Sequence, residues 1–155
     1  MITIYTDGGC HGNPGPGGWA YVVIKDGKLI GENSNSERDT TNNKMELSAV
    51  IAALEFAEKN KIAEAGEDEI TVLTDSQYVQ KGISEWIKNW KRNGWRTKDK
   101  KAVKNAELWQ KLDALNEGKN ISWKWVKGHA GNTFNERCDA LVQDAILKIV
   151  YVNNQ

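Results

Sequence analysis

The 155-residue chain has little with which to cross-link itself, anchor itself or leave the cell. Its two cysteines, Cys10 and Cys138, are too few for a disulfide framework and lack the paired CxxC spacing of a zinc site, so both are expected as reduced thiols. Both prolines fall in one short stretch, and nothing marks a second domain. No apolar run approaches the roughly 20 residues that span a bilayer. The start, MITIYTDGG, has no basic n-region and no long apolar stretch, so neither a secretory signal nor a transit peptide is expected and the cytoplasm is the default. Net charge is also absent, with 21 basic residues against 21 acidic ones. What remains is one ordinary domain spanning 1–155, long enough to bury about 70% of its unfolded surface without a disulfide or oligomeric staple.

The zero conceals a partition. Residues 81–104 hold nine basic and two acidic residues, a net +7, leaving −7 for the remainder. Such asymmetry suggests a polyanion-binding patch on an acidic body, against the plainer alternative of a solvated helical face. Three of the seven tryptophans, Trp86, Trp90 and Trp95, lie in the same block. Basic and flat side chains interleaved in this way are what nucleic-acid surfaces use. Trp86, Lys88, Lys91, Trp95, Lys98, Lys100 and Lys101 are the candidate contacts, although the helical offsets of the tryptophans also suit a partly buried face.

Periodicity supplies the frame. Residues 2–7 alternate as a strand expected to end at Asp7, followed by a Gly/Pro loop over 8–18 that contains six of the fourteen glycines. Two β-rich runs, 19–24 and 28–33, flank Asp26-Gly27, a strong hairpin signal, so the first three strands should form an antiparallel meander. Thr40, Thr41 and Asn42 offer N-caps for a long buried helix to about residue 60. An acidic turn over 64–69 leads to a strand at 70–74. Helical patterns resume from Ser76, break at Asn93-Gly94, and return at 106–117. A fifth strand is expected at 121–126 and a last helix at about 135–148, with fraying from about 150. Strands joined through helices tend to be parallel, so the expected fold is α/β: a mixed five-stranded sheet with helices on both faces.

The hexamers ITIYTD and ITVLTD each place an aspartate just after an apolar strand. If the two strands are parallel neighbours, Asp7 and Asp75 converge where open α/β sheets gather their ligands, outside the carboxyl strand ends. Taken singly, each is equally explained as a turn former or cap. Glu46, one turn into the first long helix, and Asp139, beside Cys138 in the last one, can join them, or can simply be favourable charges near helix N-termini. At about 4 Å and an effective dielectric near 20, each carboxylate pair repels by roughly 4 kcal/mol, so four together demand cations. An all-oxygen set suits Mg²⁺ or Mn²⁺ and argues against zinc. His129, on a Gly-containing loop, is a candidate proton carrier. The Gly-rich stretch lacks a P-loop ending and leads into a strand, so its expected role is close backbone approach to a large ligand beside Asp7.

Taken in order, TDGGCHGNPGPGGW, TTNNKMEL, TDSQYV, the block ISEWIKNWKRNGWRTKDKKAVKN and WVKGHAGNTFNERCDAL closely resemble type 1 ribonuclease H in its bacterial form. The likeness runs from about residue 2 to 147, and five motifs in register make it specific. It implies the ribonuclease H-like fold, and endonucleolytic hydrolysis of the RNA strand of RNA/DNA hybrids, leaving 5′-phosphate and 3′-hydroxyl ends. It also implies two Mg²⁺ ions, with Mn²⁺ as a substitute. The family's four acidic ligands match Asp7, Glu46, Asp75 and Asp139, its loop histidine matches His129, and its basic protrusion matches about 83–105. Its contacts to the hybrid minor groove match Cys10, Asn13, Asn42, Asn43 and Gln77, and its DNA-strand contacts match Thr41, Trp86 and Asn105. Where relatives often carry Arg two residues before that Thr, this chain has Asp39 beside Arg38, which implies a differently built phosphate pocket. A monomer with no obligate protein partner and no membrane association is expected.

Three rivals make distinct demands. An aspartyl-phosphate phosphatase wants a second Asp two residues after the first, where this chain has Gly9. A non-catalytic duplex-binding module predicts retention of hybrid without cleavage and leaves the four acids unexplained. A basic amphipathic membrane helix over 86–92 predicts co-sedimentation with liposomes.

Overall fold

The computed structural model describes residues 1–62, 69–127 and 132–153. The acidic turn foreseen at 64–69 therefore lies, apart from Glu69, outside the described residues. Five strands, β1 (Ile2–Cys10), β2 (Gly15–Lys25), β3 (Lys28–Thr40), β4 (Ile70–Thr74) and β5 (Ile121–Trp125), form one sheet in the order β3-β2-β1-β4-β5. The β3-β2-β1 half is antiparallel and β1-β4-β5 is parallel, as the meander and the helical crossovers require.

Side-chain alternation sorts the sheet's two faces. Ile2, Ile4, Tyr21, Val23, Ile70 and Val72 join the main core beneath helix α1 (Asn42–Lys59), whose buried Leu47, Val50, Ile51 and Leu54 recur at helical spacing. The intervening Tyr5, Ala20, Val22 and Ile24 face helix α5 (Thr133–Asn153) through Cys138, Val142 and Ile146. Helices α2 (Gln77–Lys81) and α3 (Ile87–Arg92) are joined by a π-helical turn, Gly82–Trp86, and pack with α4 (Ala106–Asn116) on the α1 side. Among the described residues, no helix is long and apolar enough to cross a membrane.

Three expectations need correction. The stretch 8–18 is not a loop: β1 continues through Gly8, Gly9 and Cys10, which pair with Trp19, Gly18 and Gly17, and the His11 amide donates to the Pro16 carbonyl (2.8 Å) to close a short turn. Gly8 belongs in the strand because α1 crosses it closely. A Cβ on Gly8 would stand 2.5 Å from the Met45 carbonyl carbon and 2.7 Å from the Glu46 nitrogen. Second, β3 extends through the polar SNSERDT to Thr40 because it pairs along the length of β2, and an edge strand can be polar where one face meets water. Third, α5 does not fray at 150 but runs to Asn153, with Val150 packed against the cluster of Ala20, Val142 and Ile146. The Asp26-Gly27 turn is as foreseen, with φ of 50° and 81° at its two residues, the left-handed pair of a tight hairpin.

Candidate active site

Parallel pairing of β1 with β4 runs to Tyr5 opposite Leu73, so two more residues bring Asp7, inside the extended β1, level with Asp75 just past the carboxyl end of β4. Asp7 Oδ1 accepts from the Gly8 amide (2.9 Å), and the Asp75 carbonyl accepts from the Trp125 indole Nε1 (2.9 Å). Glu46 comes from the helix that Gly8 lets approach. Thr41 caps that helix, its hydroxyl accepting from the Lys44 amide (3.2 Å), which sets the phase that turns Glu46 inward. Glu46 Oε2 accepts from the Ser76 hydroxyl at 2.5 Å. Burial raises the Glu46 carboxyl above the usual range, the Ser76 hydrogen bond opposes that rise, and the charge of Asp75 adds to it.

Asp139 follows Cys138, whose Sγ donates to the Tyr5 carbonyl (3.3 Å) and so sets α5 against β1 two residues before Asp7. Burial holds the Cys138 thiol well above its ordinary value, and the charges of Asp7, Glu32 and Asp75 push it further. Asp7, Glu46 and Asp75 therefore share one end of the sheet, and Cys138, the neighbour of Asp139, packs against β1 nearby. The donor set of these acids is hard oxygen, and burial together with the charge of Asp75 already opposes ionisation of Glu46, so a divalent cation fits the chemistry. Among the described residues, no three His, Cys, Asp or Glu side chains form a ready-made cage. An ion would have to draw the carboxylates together. His129 lies outside the described residues.

Around the acids, the hairpin of β1 and β2 is knitted to the start of α1. The Cys10 amide donates to Asn42 Oδ1 (2.8 Å), the Cys10 thiol donates to the same oxygen (3.3 Å), and the Asn42 amide donates to Asn13 Oδ1 (3.2 Å). Burial, then the charge of Glu46, raises the Cys10 thiol and keeps it protonated. Asn43 and Gln77 are exposed, each in the first turn of its helix. Asn105, in the left-handed region at φ 60°, donates to the Tyr78 hydroxyl (3.3 Å), which also accepts from Trp109 Nε1 (2.9 Å). Beside it lies an open cleft of about 450 Å³ lined by Glu37, Lys44, Asn105 and Glu107. It offers one cation between two acids.

The basic protrusion divides its residue types. Lys88, Lys98, Lys100 and Lys101 are exposed, as a polyanion surface requires. Trp86, Trp90 and Trp95 are half-buried and linked ring to ring, Trp86 to Trp90 at 5.9 Å and Trp90 to Trp95 at 6.3 Å, with Trp90 edge-on to the buried Trp109 at 5.3 Å. The aromatic residues that suggested a stacking surface therefore also attach the protrusion to the core. Lys91 is similarly engaged, in an ion pair with Asp113 (3.1 Å). Sequence reasoning missed the partners Ser76 and Trp125. Their bonds to Glu46 and Asp75 span 30 and 50 residues and leave no local signal.

Fold and site together define a ribonuclease H-like α/β domain with a strand-end acid cluster. The RNase H family model matches residues 1–147, and the chain belongs to that family of nucleases. Ribonuclease H of Bradyrhizobium diazoefficiens is 54% identical over 148 residues, covering 96% of this chain and 91% of that protein. Among solved structures, LC9-RNase H1, a type 1 RNase H with the type 2 active-site motif, aligns with a TM-score of 0.79 and 33% identity over 94% of this chain and 71% of its own. LC11-RNase H1 in complex with RNA/DNA hybrid aligns at 0.73, with 27% identity, over 97% of this chain and 99% of its own.

Proposed function

We propose that this chain is an endoribonuclease that hydrolyses the RNA strand of RNA/DNA hybrids and leaves 5′-phosphate and 3′-hydroxyl ends. The observation that carries the reading is that Asp7 of β1 and Asp75 after β4 come level on adjacent parallel strands with Glu46 of α1 facing them, beside a protrusion whose lysines are exposed. The hybrid-bound relative LC11-RNase H1 supports the choice of substrate. Asp7, Glu46, Asp75 and Asp139 would hold two divalent cations, Mg²⁺ or in substitution Mn²⁺. Such ions, when bound, supply an acidified water nucleophile and charge stabilisation at the departing 3′ oxygen.

The remaining chemistry belongs to side chains. The Gly8 amide and the Ser76 hydroxyl keep Asp7 and Glu46 oriented before substrate arrives. Asn13 and Asn42, joined to each other and to Cys10, present a fixed polar edge beside Asp7 for RNA 2′-hydroxyls, with Asn43 and Gln77 flanking it. Thr41, Trp86 and Asn105 take the DNA strand, and Lys88, Lys91, Trp95, Lys98, Lys100 and Lys101 hold the backbone from the protrusion. His129 carries protons to and from the site. The working state is a cytoplasmic monomer with no obligate protein partner.

The test is a labelled RNA/DNA hybrid incubated beside single-stranded RNA, duplex RNA and duplex DNA, with Mg²⁺, Mn²⁺ or chelator. Cleavage confined to the RNA of the hybrid and abolished by chelator is expected. Retention of the hybrid without cleavage would instead make the chain a duplex-binding module.

A further inference from the structure

Ser76 makes more bonds than a helix cap requires. It is 4% exposed, so water does not compete for its hydroxyl. As N-cap of α2 it accepts from the Val79 amide (3.0 Å), which uses one lone pair. Its own amide donates to the Thr74 hydroxyl (3.0 Å), which fixes the corner between β4 and α2. The one proton of the hydroxyl is not needed for capping, and it goes to Glu46 Oε2 at 2.5 Å. The corner that carries Asp75 thus reaches across to the carboxylate on α1, and the donor is itself locked by two backbone contacts.

We propose that Ser76 is the positioning residue for Glu46: its hydroxyl holds Oε2 and reserves Oε1 for the cation. The proposal rests on the functional reading above and names the group that orders one ligand within it. A long glutamate side chain loses rotamer freedom when it ligates an ion, and a buried donor fixed in advance removes part of that cost before the ion arrives. Capping and positioning are separable, because capping needs only the acceptor whereas positioning needs the proton. Ser76→Thr would keep both, and Ser76→Ala neither.

The experiment titrates substrate-free protein with MgCl₂ and follows the backbone amide resonances of Gly8 and Cys10. The Mg²⁺ dependence of hybrid cleavage and the affinity for hybrid in chelator are measured alongside. Ser76→Ala is expected to weaken Mg²⁺ binding by about tenfold, the low end of what removing a partner of a metal-ligating side chain costs. Hybrid affinity in chelator should stay unchanged, and Ser76→Thr should restore Mg²⁺ binding. In a Glu46→Gln background Ser76→Ala should add no further loss, an outcome that a simple capping role would not produce. Ser76→Gly, which a helix cap tolerates far better than alanine, gives a second variant without the hydroxyl should alanine unfold the chain. Folded Ala or Gly variants that bind Mg²⁺ as wild type does would overturn the role of Ser76 alone, as would an equal loss in the Glu46→Gln background. A wild-type chain that binds no Mg²⁺ and leaves the hybrid intact would overturn the functional reading, and this proposal with it.

Discussion

Where β1 runs beside the end of β4, Asp7, Glu46 and Asp75 are brought to one side of the molecule by sheet register and helix packing, far apart though they are in sequence. The protrusion over 83–105 instead carries its charge in one continuous stretch. In the first region, the Ser76 hydroxyl holds the Glu46 carboxylate from a distant segment, the Gly8 amide holds that of Asp7, and the Trp125 indole ties down the backbone carbonyl of Asp75. In the second, the lysines are exposed, and the order resides in the rings beneath them. Chemistry that depends on a fixed constellation should fail abruptly when one member is lost. Binding that depends on summed charge should decline in steps and with salt.

The sharpest break of that contrast is Asp7→Asn. Hybrid cleavage should fall by at least about 100-fold, beyond what loss of a merely supporting residue costs a metal site. The fold should be as stable as wild type or slightly more so in chelator, since one repelling charge is gone, and urea unfolding checks this. Gly8→Ala attacks the same region through packing. Its Cβ would lie 2.6 Å from the Met45 carbonyl oxygen, so β1 and α1 must part. A loss of about 1–3 kcal/mol in stability is expected, together with reduced cleavage that added Mg²⁺ restores only in part.

Gly82→Ala does the equivalent to the protrusion, since its Cβ would meet the indole ring of Trp109. A comparable loss of about 1–3 kcal/mol should appear, with weaker hybrid binding but an unchanged Mg²⁺ requirement. Neutralising Lys98, Lys100 and Lys101 together should weaken binding and flatten its salt dependence by up to about 0.9 log units per lost phosphate contact. An unchanged slope would return these lysines to the role of a solvated face.

The smallest effect is in pH. Burial raises the Glu46 carboxyl, so the folded chain holds that proton more tightly than the unfolded chain. Below the ordinary glutamate value of 4.5 both states are protonated. As pH rises from there through the raised folded value, stability is lost in the absence of metal. Glu46→Gln should remove that loss. In chelator its stability relative to wild type should be higher at pH 7 than at pH 4 by urea unfolding, and a constant gap would contradict the direction.

How much of this could be read beforehand follows the same division. The protrusion was visible because charge is local, and Asp7 and Asp75 were visible because two similar hexamers each follow an apolar run with an acid, although β1 continues three residues past Asp7. The cap at Thr41, the helix start at Ser76 and the Asp26-Gly27 turn carry short-range signals and appear where expected. The strand through Gly8, Gly9 and Cys10 was hidden because glycine disfavours strands until a crossing helix demands it. The polar half of β3 was hidden because only its pairing with β2 makes it a strand. Trp86 and Trp90 fall four residues apart, a spacing that suits a buried helical face as well as an exposed one, and the structure shows both packed ring to ring. The hydroxyl on Glu46 and the indole on the Asp75 carbonyl could not be read at all, because they depend on how distant segments fold together.

The most direct test measures two quantities on one variant: hybrid affinity and single-turnover cleavage by Asp7→Asn in saturating Mg²⁺. The expected result is hybrid bound about as tightly as by wild type, with no cleavage above background, which separates the acid cluster from the basic handle. A folded Asp7→Asn protein that cleaves hybrid at a near-normal rate would contradict the assignment of the strand-end carboxylates as the seat of the chemistry.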